Sequence, residues 1–221
     1  FLTSLEAAET VKYADNAFHA VKITFANEIG QLCKSYGVNS HEVMDIFAAD
    51  TKLNISPKYL RPGFAFGGSC LPKDLRALLY AARTGHVALP MLENVLRSNR
   101  QLIDKVVREV LAEGHRKIGL VGLSFKPGTD DLRESPMVAL AERLIGKGME
   151  IQAYDRHVVL SQLIGRNKAF LEERLPHIAR ILAASLDDLD GCGTLVVGHP
   201  MPAERLESWL LAGKSVIDLV G

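Results

Sequence analysis

The spacing of apolar and polar positions divides the chain into a helical half and an alternating half. From Glu6 to Gly37, Val11, Ala14, Phe18, Val21, Phe25 and Ile29 recur at intervals of three and four. That period predicts one long helix with a buried apolar stripe. Gly37 reads as its stop, and Ser40 as the N-cap of a short helix with Glu42 in its first turn. Thr51 to Gly63 contains Pro57, Pro62 and Gly63 and reads as an ordered loop. Lys73 to Thr84 is again helical in pattern, with Pro72 where a helix would open. After Leu89-Pro90, a second long helix runs to Gly114, with Met91, Val95, Leu102, Val106 and Val110 on its buried face.

Near Arg116 the pattern changes. Lys117 to Leu123 is a short apolar run followed by a glycine-bearing loop. Ser135-Pro136 caps and opens a helix through Leu144, and Gly148 ends it. Met149 to Tyr154, Thr194 to Gly198 and Ser215 to Val220 read as further strands. Strand-helix-strand alternation predicts a doubly wound parallel sheet. The expected fold class is α/β: an all-helical domain over residues 1–115, then a Rossmann-like parallel-sheet domain over 116–221.

Composition adds boundaries. The 221 residues are 48% hydrophobic and 24% charged, enough for one or two domains with cores. Lys+Arg and Asp+Glu both number 26, so nothing points to a nucleic-acid or acidic-membrane surface. No apolar run would span a bilayer. The three cysteines are far apart, without metal-ligand spacing. That usage fits a reducing cytoplasm, and no metal site is expected. Phe1 in place of a methionine reads as a cut inside a longer protein.

The candidate chemistry centres on Phe64-Ala65-Phe66-Gly67-Gly68-Ser69-Cys70-Leu71-Pro72-Lys73-Asp74. Cys70 falls at or just before a helix N-terminus, where free N–H groups and the helix dipole favour an anion. A thiol there is suited to act as a nucleophile. The glycines leave room for a substrate, and Lys73 and Asp74 put an ammonium and a carboxylate nearby. Taken alone, a cysteine is most often a small buried hydrophobe; here each neighbour has a use. On the first helix, Lys12, Asn16, His19 and Asn27 share about a quarter of the circumference. Such a stripe is usually a solvated face, but one cation and three hydrogen-bonding groups would also suit a phosphate or oxyanion. Cys33, Cys192 and Trp209 read as packing residues, and His199-Pro200 as a loop.

The Gly-Gly-Ser-Cys-x-Pro-Lys-Asp stretch closely resembles the catalytic loop of the nucleotide-sugar 6-dehydrogenases, the UDP-glucose/GDP-mannose dehydrogenase family. The family usually has glycine where Ala65 stands, a departure that bears on loop flexibility and not on the nucleophile. Phe125-Lys126-Pro127-Gly128-Thr129-Asp130-Asp131-Leu132-Arg133-Glu134-Ser135-Pro136 resembles its second signature. The resemblance implies that Lys12 and Asn16 are catalytic with Cys70 and Asp74. It also implies substrate contacts at Lys12, Asn16, His19, Asn27, Tyr59, Leu60, Arg61, Phe64, Gly67 and Lys126. Lys73 and Arg133 are expected to touch the cofactor, NAD, held by an N-terminal domain that would lie before Phe1; without it the fragment is expected to be inactive. A homo-oligomer through the long helices is likewise implied. Lys52 to Arg61 looks more like the GDP-mannose branch than the UDP-glucose branch.

The activity so implied is a four-electron oxidation of a sugar C6 alcohol to a carboxylate, through a thiohemiacetal and a thioester on Cys70. Lys12 and Asn16 would stabilise the oxyanion. Asp74 would act on the attacking water or on Cys70. By itself, Gly119-x-x-Gly122-x-x-Phe125 is a poor match to a dinucleotide fingerprint, and Asp155 does not rescue it. Two other classes stay open: a non-catalytic helical dimerisation module, in which Cys70 would be buried, and another NAD-dependent dehydrogenase with no nucleophilic cysteine.

Overall fold

The computed structural model describes residues 2–35, 37–51, 62–84, 89–158 and 181–220. They divide into two compact units, 1–101 and 102–220.

The described part of the first unit is helical. Helix α1 spans Leu5–Ser35, α2 Ser40–Ala49, α3 Leu71–Thr84 and α4 Pro90–Ala112, with the unit division falling inside α4. Helix α1 forms where expected, but its large apolar side chains do not make its buried face. Val11, Phe18 and Phe25 are 58%, 43% and 40% exposed, while Ala17, Ala20 and Ala26 are buried. Ala17 and Ala20 pack with Phe66, Leu75, Leu79 and Val95. Small side chains let α3 lie close to α1, and large ones on that face would hold it off. Phe25 instead meets Phe47 of α2, with ring centroids 5.6 Å apart. Ser40 is the first residue of α2; the cap is Asn39, whose side chain accepts from the N–H groups of His41 and Glu42. On α4, Val95, Leu102, Val106 and Val110 are buried as the period predicts, whereas Met91 is exposed.

The second unit contains a four-stranded parallel sheet. Strands β1 (Lys117–Val121), β2 (Glu150–Tyr154), β3 (Thr194–Val197) and β4 (Ser215–Asp218) take the order β2-β1-β3-β4. The expected α/β class with a parallel sheet is what the chain adopts. Helix α5 (Pro136–Gly146) has Ser135 as N-cap and Pro136 at its start, and α6 spans Ala203–Leu211. Trp209 is buried with Val121, Leu189, Cys192, Leu195 and Val197, and its indole N–H donates to Asp190.

At the C-terminal ends of β1 and β2, Asp155 ties the sheet to the loop after β1. Its Oδ2 accepts from Leu123 N–H at 2.8 Å, and from Ser124 N–H and Ser124 Oγ at 2.9 Å. Its Oδ1 accepts from His157 N–H. Burial works against ionisation of this carboxyl, but the hydrogen bonds prevail and hold it below the usual 3.8. A depressed folded value means stability that is full above 3.8 and is lost as pH falls through the folded value. Asp155→Asn turns an NH2 toward donors and should cost about 2–4 kcal/mol. Urea unfolding of the variant should show that loss at neutral pH, and less of the wild-type decline on acidification below 3.8.

Candidate functional site

Cys70 directly precedes α3, and its carbonyl accepts the N–H of Asp74 at 2.9 Å. It therefore holds the N-cap position, with Pro72 in the first turn, where a missing N–H costs nothing. Gly68 turns the chain into the helix at φ +86°, a conformation that favours glycine. Cys70 is exposed, whereas Cys33 and Cys192 are buried. Burial pushes the Cys192 thiol up, as befits an inert packing residue. Ser69 Oγ lies 3.9 Å from the Cys70 sulfur.

One helical turn into α3, Asp74 has no exposed surface. Asn16 of α1 donates from Nδ2 to its Oδ2, and Lys12 Nζ lies 4.0 Å from the same oxygen. Lys73 Nζ lies 3.2 Å from Oδ1, yet Oδ1 takes part in no hydrogen bond of good geometry. The Lys73 contact is thus an ion pair that leaves acceptor capacity unused. Burial opposes charge on Asp74, but the Asn16 amide and the Lys73 and Lys12 ammonium groups outweigh it, so the carboxyl stays below its usual range. Lys73 is raised in turn by its close contact with the Asp74 carboxylate and by the charge that carboxylate carries.

The stripe on α1 thus faces the protein over part of its length and is not simply solvated. Asn27 is buried, accepts from Gly63 N–H at 2.8 Å and donates to the Phe64 carbonyl at 3.1 Å. His19 is half-buried on the same helix. Phe64 and Gly67 are half-buried in the segment leading to Cys70. Tyr59, Leu60 and Arg61 lie outside the described residues. A residue that the sequence pattern did not single out joins this group. Asn99 of α4 accepts from Phe66 N–H at 2.9 Å and donates to the Phe66 carbonyl at 2.9 Å. Its one sequence signal is an asparagine in a helix interior, a poor helix former kept there for another reason.

Lys126 and Arg133 belong to the second unit. Lys126 is exposed and its Nζ lies 5.4 Å from the Phe125 ring centroid. Arg133 is bound in a fork by Asp131, at 2.8 Å from Nε and 2.7 Å from Nη2. The loop carrying both is closed on itself: Phe125 N–H donates to the Asp131 carbonyl, and Ser135 Oγ to the Leu123 carbonyl.

Gly122 sits against the His199 ring, where an added Cβ would come within 2.3 Å. His199 Nε2 lies 3.0 Å from the Ser124 carbonyl, and Asp155 is occupied by loop N–H groups. The Lys73 and Arg133 side chains, one in each unit, are 61% and 35% exposed, so each by itself keeps cationic surface open to an anion.

Residues 6–101 match the family model for the central domain of the UDP-glucose/GDP-mannose dehydrogenase family, and residues 119–201 match that family's UDP binding domain. GDP-mannose 6-dehydrogenase of Pseudomonas putida is 49% identical over 98% of this chain and 50% of its own length. UDP-glucose 6-dehydrogenase TuaD of Bacillus subtilis is 35% identical over 86% of this chain and 40% of its own. A crystal structure of GDP-mannose dehydrogenase from Pseudomonas aeruginosa, solved as a ternary complex, superposes with TM-score 0.69 at 48% identity, covering 99% of this chain and 51% of that one. The chain spans about half the length of the curated relatives it matches. A central-domain match over the cysteine loop, followed in order by a UDP-binding-domain match over β1 to β3 of the parallel sheet, means that this chain belongs to the UDP-glucose/GDP-mannose dehydrogenase family.

Proposed function

We propose that the protein carrying this chain oxidises the C6 alcohol of a nucleotide sugar to the carboxylate, GDP-mannose to GDP-mannuronate, by way of a covalent adduct on Cys70. The observation that carries the reading is an exposed thiol at a helix N-terminus, one turn from a buried, charged carboxylate tied to Lys12 and Asn16. The higher identity to the P. putida enzyme than to the B. subtilis one supports the choice of sugar nucleotide.

NAD would supply the hydride acceptor for both oxidations, and Lys73 and Arg133 are each assigned a contact with it. The first oxidation takes a hydride from C6 and releases the hydroxyl proton to solvent, leaving the aldehyde. Cys70 gives up its thiol proton, Sγ bonds to C6, and the carbonyl electron pair becomes an oxyanion. Lys12 and Asn16 stabilise that negative charge. Loss of hydride from C6 leaves a thioester. Water then adds, the C–S bond breaks, and the carboxylate leaves with the sulfur regaining its proton. Asp74, charged and with acceptor capacity left on Oδ1 beside the Lys73 ion pair, orients the water or takes its proton. Holding the intermediate covalently keeps the aldehyde from escaping between the two oxidations.

Substrate contacts are assigned to His19, Asn27, Phe64, Gly67 and Lys126, and, outside the described residues, to Tyr59, Leu60 and Arg61. Residues 1–115 serve as the substrate-binding and dimerisation domain, and 116–221 as the nucleotide-sugar-binding domain. The exposed Val11, Phe18 and Phe25, spaced by seven on α1, support a homo-oligomer through that helix. No described helix is long and apolar enough to cross a membrane.

Cys70→Ser in the full-length protein should abolish uronate formation; uronate at the wild-type rate would end the covalent scheme. Asp74→Asn should slow turnover about 10²–10³-fold, and intact-protein mass spectrometry should find a sugar thioester accumulating on Cys70. Comparing kcat/KM for GDP-mannose and UDP-glucose tests the choice of nucleotide. Phe18→Glu should shift the oligomer toward monomer in light scattering.

A further inference from the structure

The segment that delivers the chain to Cys70 has an unusual problem. Residues 62–67 are neither helix nor strand, yet Ala65 and Phe66 are buried, 8% and 7% exposed. Buried N–H and C=O groups need partners. The helices around them have spent their own backbone groups, and among the described residues this unit has no strand to lend others.

Two side-chain amides take the place of a strand. Asn27 reaches from α1 to Gly63 N–H and the Phe64 carbonyl, and Asn99 reaches from α4 to both backbone groups of Phe66. The primary amide has the donor and acceptor side by side, as a peptide edge does, so one side chain satisfies both groups of one residue. The Phe66 ring is seated among Ala17, Ala20, Leu75, Leu79 and Val95. Phe66 is therefore fixed through its side chain and its backbone at once. Between it and Cys70 lie only Gly67, Gly68 and Ser69.

We propose that Asn99 is a positioning residue for the reaction at Cys70. By holding the Phe66 peptide it sets the path of Gly67–Ser69, over which a substrate must approach the sulfur. Asn99 touches neither the sulfur nor the Lys12/Asn16/Asp74 group in the bonds it makes; its effect passes through the backbone. A glycine pair has little stiffness of its own, so the path depends on how its ends are held. The catalytic part of this inference rests on the function proposed above, while the placement of the loop does not.

Two variants test it in the full-length protein. Asn99→Leu removes both bonds, and Asn99→Asp keeps the shape and the acceptor but sets a carboxylate against the Phe66 carbonyl. Asn94→Ala is the control, since among the described residues Asn94 bonds to the Pro90 carbonyl of its own helix. Hydrogen exchange should rise about 10-fold or more in the amides of Phe66 to Cys70 in both variants, with α1 and α3 unchanged. The kcat should fall about 10–100-fold with KM within about threefold, because misplacement by an ångström is enough for that loss. Asn94→Ala should do neither. A uniform rise of exchange across α1 and α3 would make Asn99 a stability residue and overturn the proposal, as would an unchanged kcat beside a working wild type. If the wild type oxidises no nucleotide sugar, the functional reading fails, and the exchange pattern still decides whether Asn99 holds the loop.

Discussion

A carboxylate with no exposed surface holds the helical unit in its working arrangement. Asp74 is charged although burial opposes it, and it stays so because α1 brings Asn16 and Lys12 to it while Lys73 sits beside it. Removing any of these partners would leave a buried charge less well matched, which costs far more than an exposed ion pair would return. The same contact couples structure to chemistry. With the packing of Ala17 and Ala20 on Leu75 and Leu79 it fixes α3 against α1, so Lys12 and Asn16 lie by the first turn of α3, which Cys70 caps.

That tie explains why α1 is built inside out by the usual measure. Its face toward α3 combines alanines with Asn16 and Asn27, and its largest side chains, Phe18 and Phe25, remain partly in water. Alanine permits close approach, and close approach lets short amide side chains reach a carboxylate on one neighbour and a loop backbone on another. Bulky apolar residues on that face would add burial but separate the helices beyond the reach of asparagine.

The sheet unit solves a related problem with one aspartate. The loop after β1 has to leave the sheet, reverse and enter α5 while presenting Lys126 and Arg133. Asp155 takes up the N–H groups of Leu123 and Ser124, His199 meets the Ser124 carbonyl, and Asp131 holds Arg133. Gly122, at φ +85°, leaves room beside it for the His199 ring, which a side chain there would displace.

The sequence alone determined α1 to α5, the change to a parallel sheet, the place of Cys70 at a helix N-terminus, the cap at Ser135, and the cysteine loop with its lysine and aspartate; α6 it left unread. These depend on neighbours along the chain, and local chemistry writes them plainly. It did not determine which side of α1 would be buried, because a period of three and four fits two stripes and only the distance to α3 chooses between them. Nor did it disclose Asn99, 33 positions from its partner Phe66, or the fully buried state of Asp74. Hydrogen bonds from a side chain to a distant backbone leave no period in the sequence. They exist only once packing has stripped a peptide group of water and brought an amide to face it.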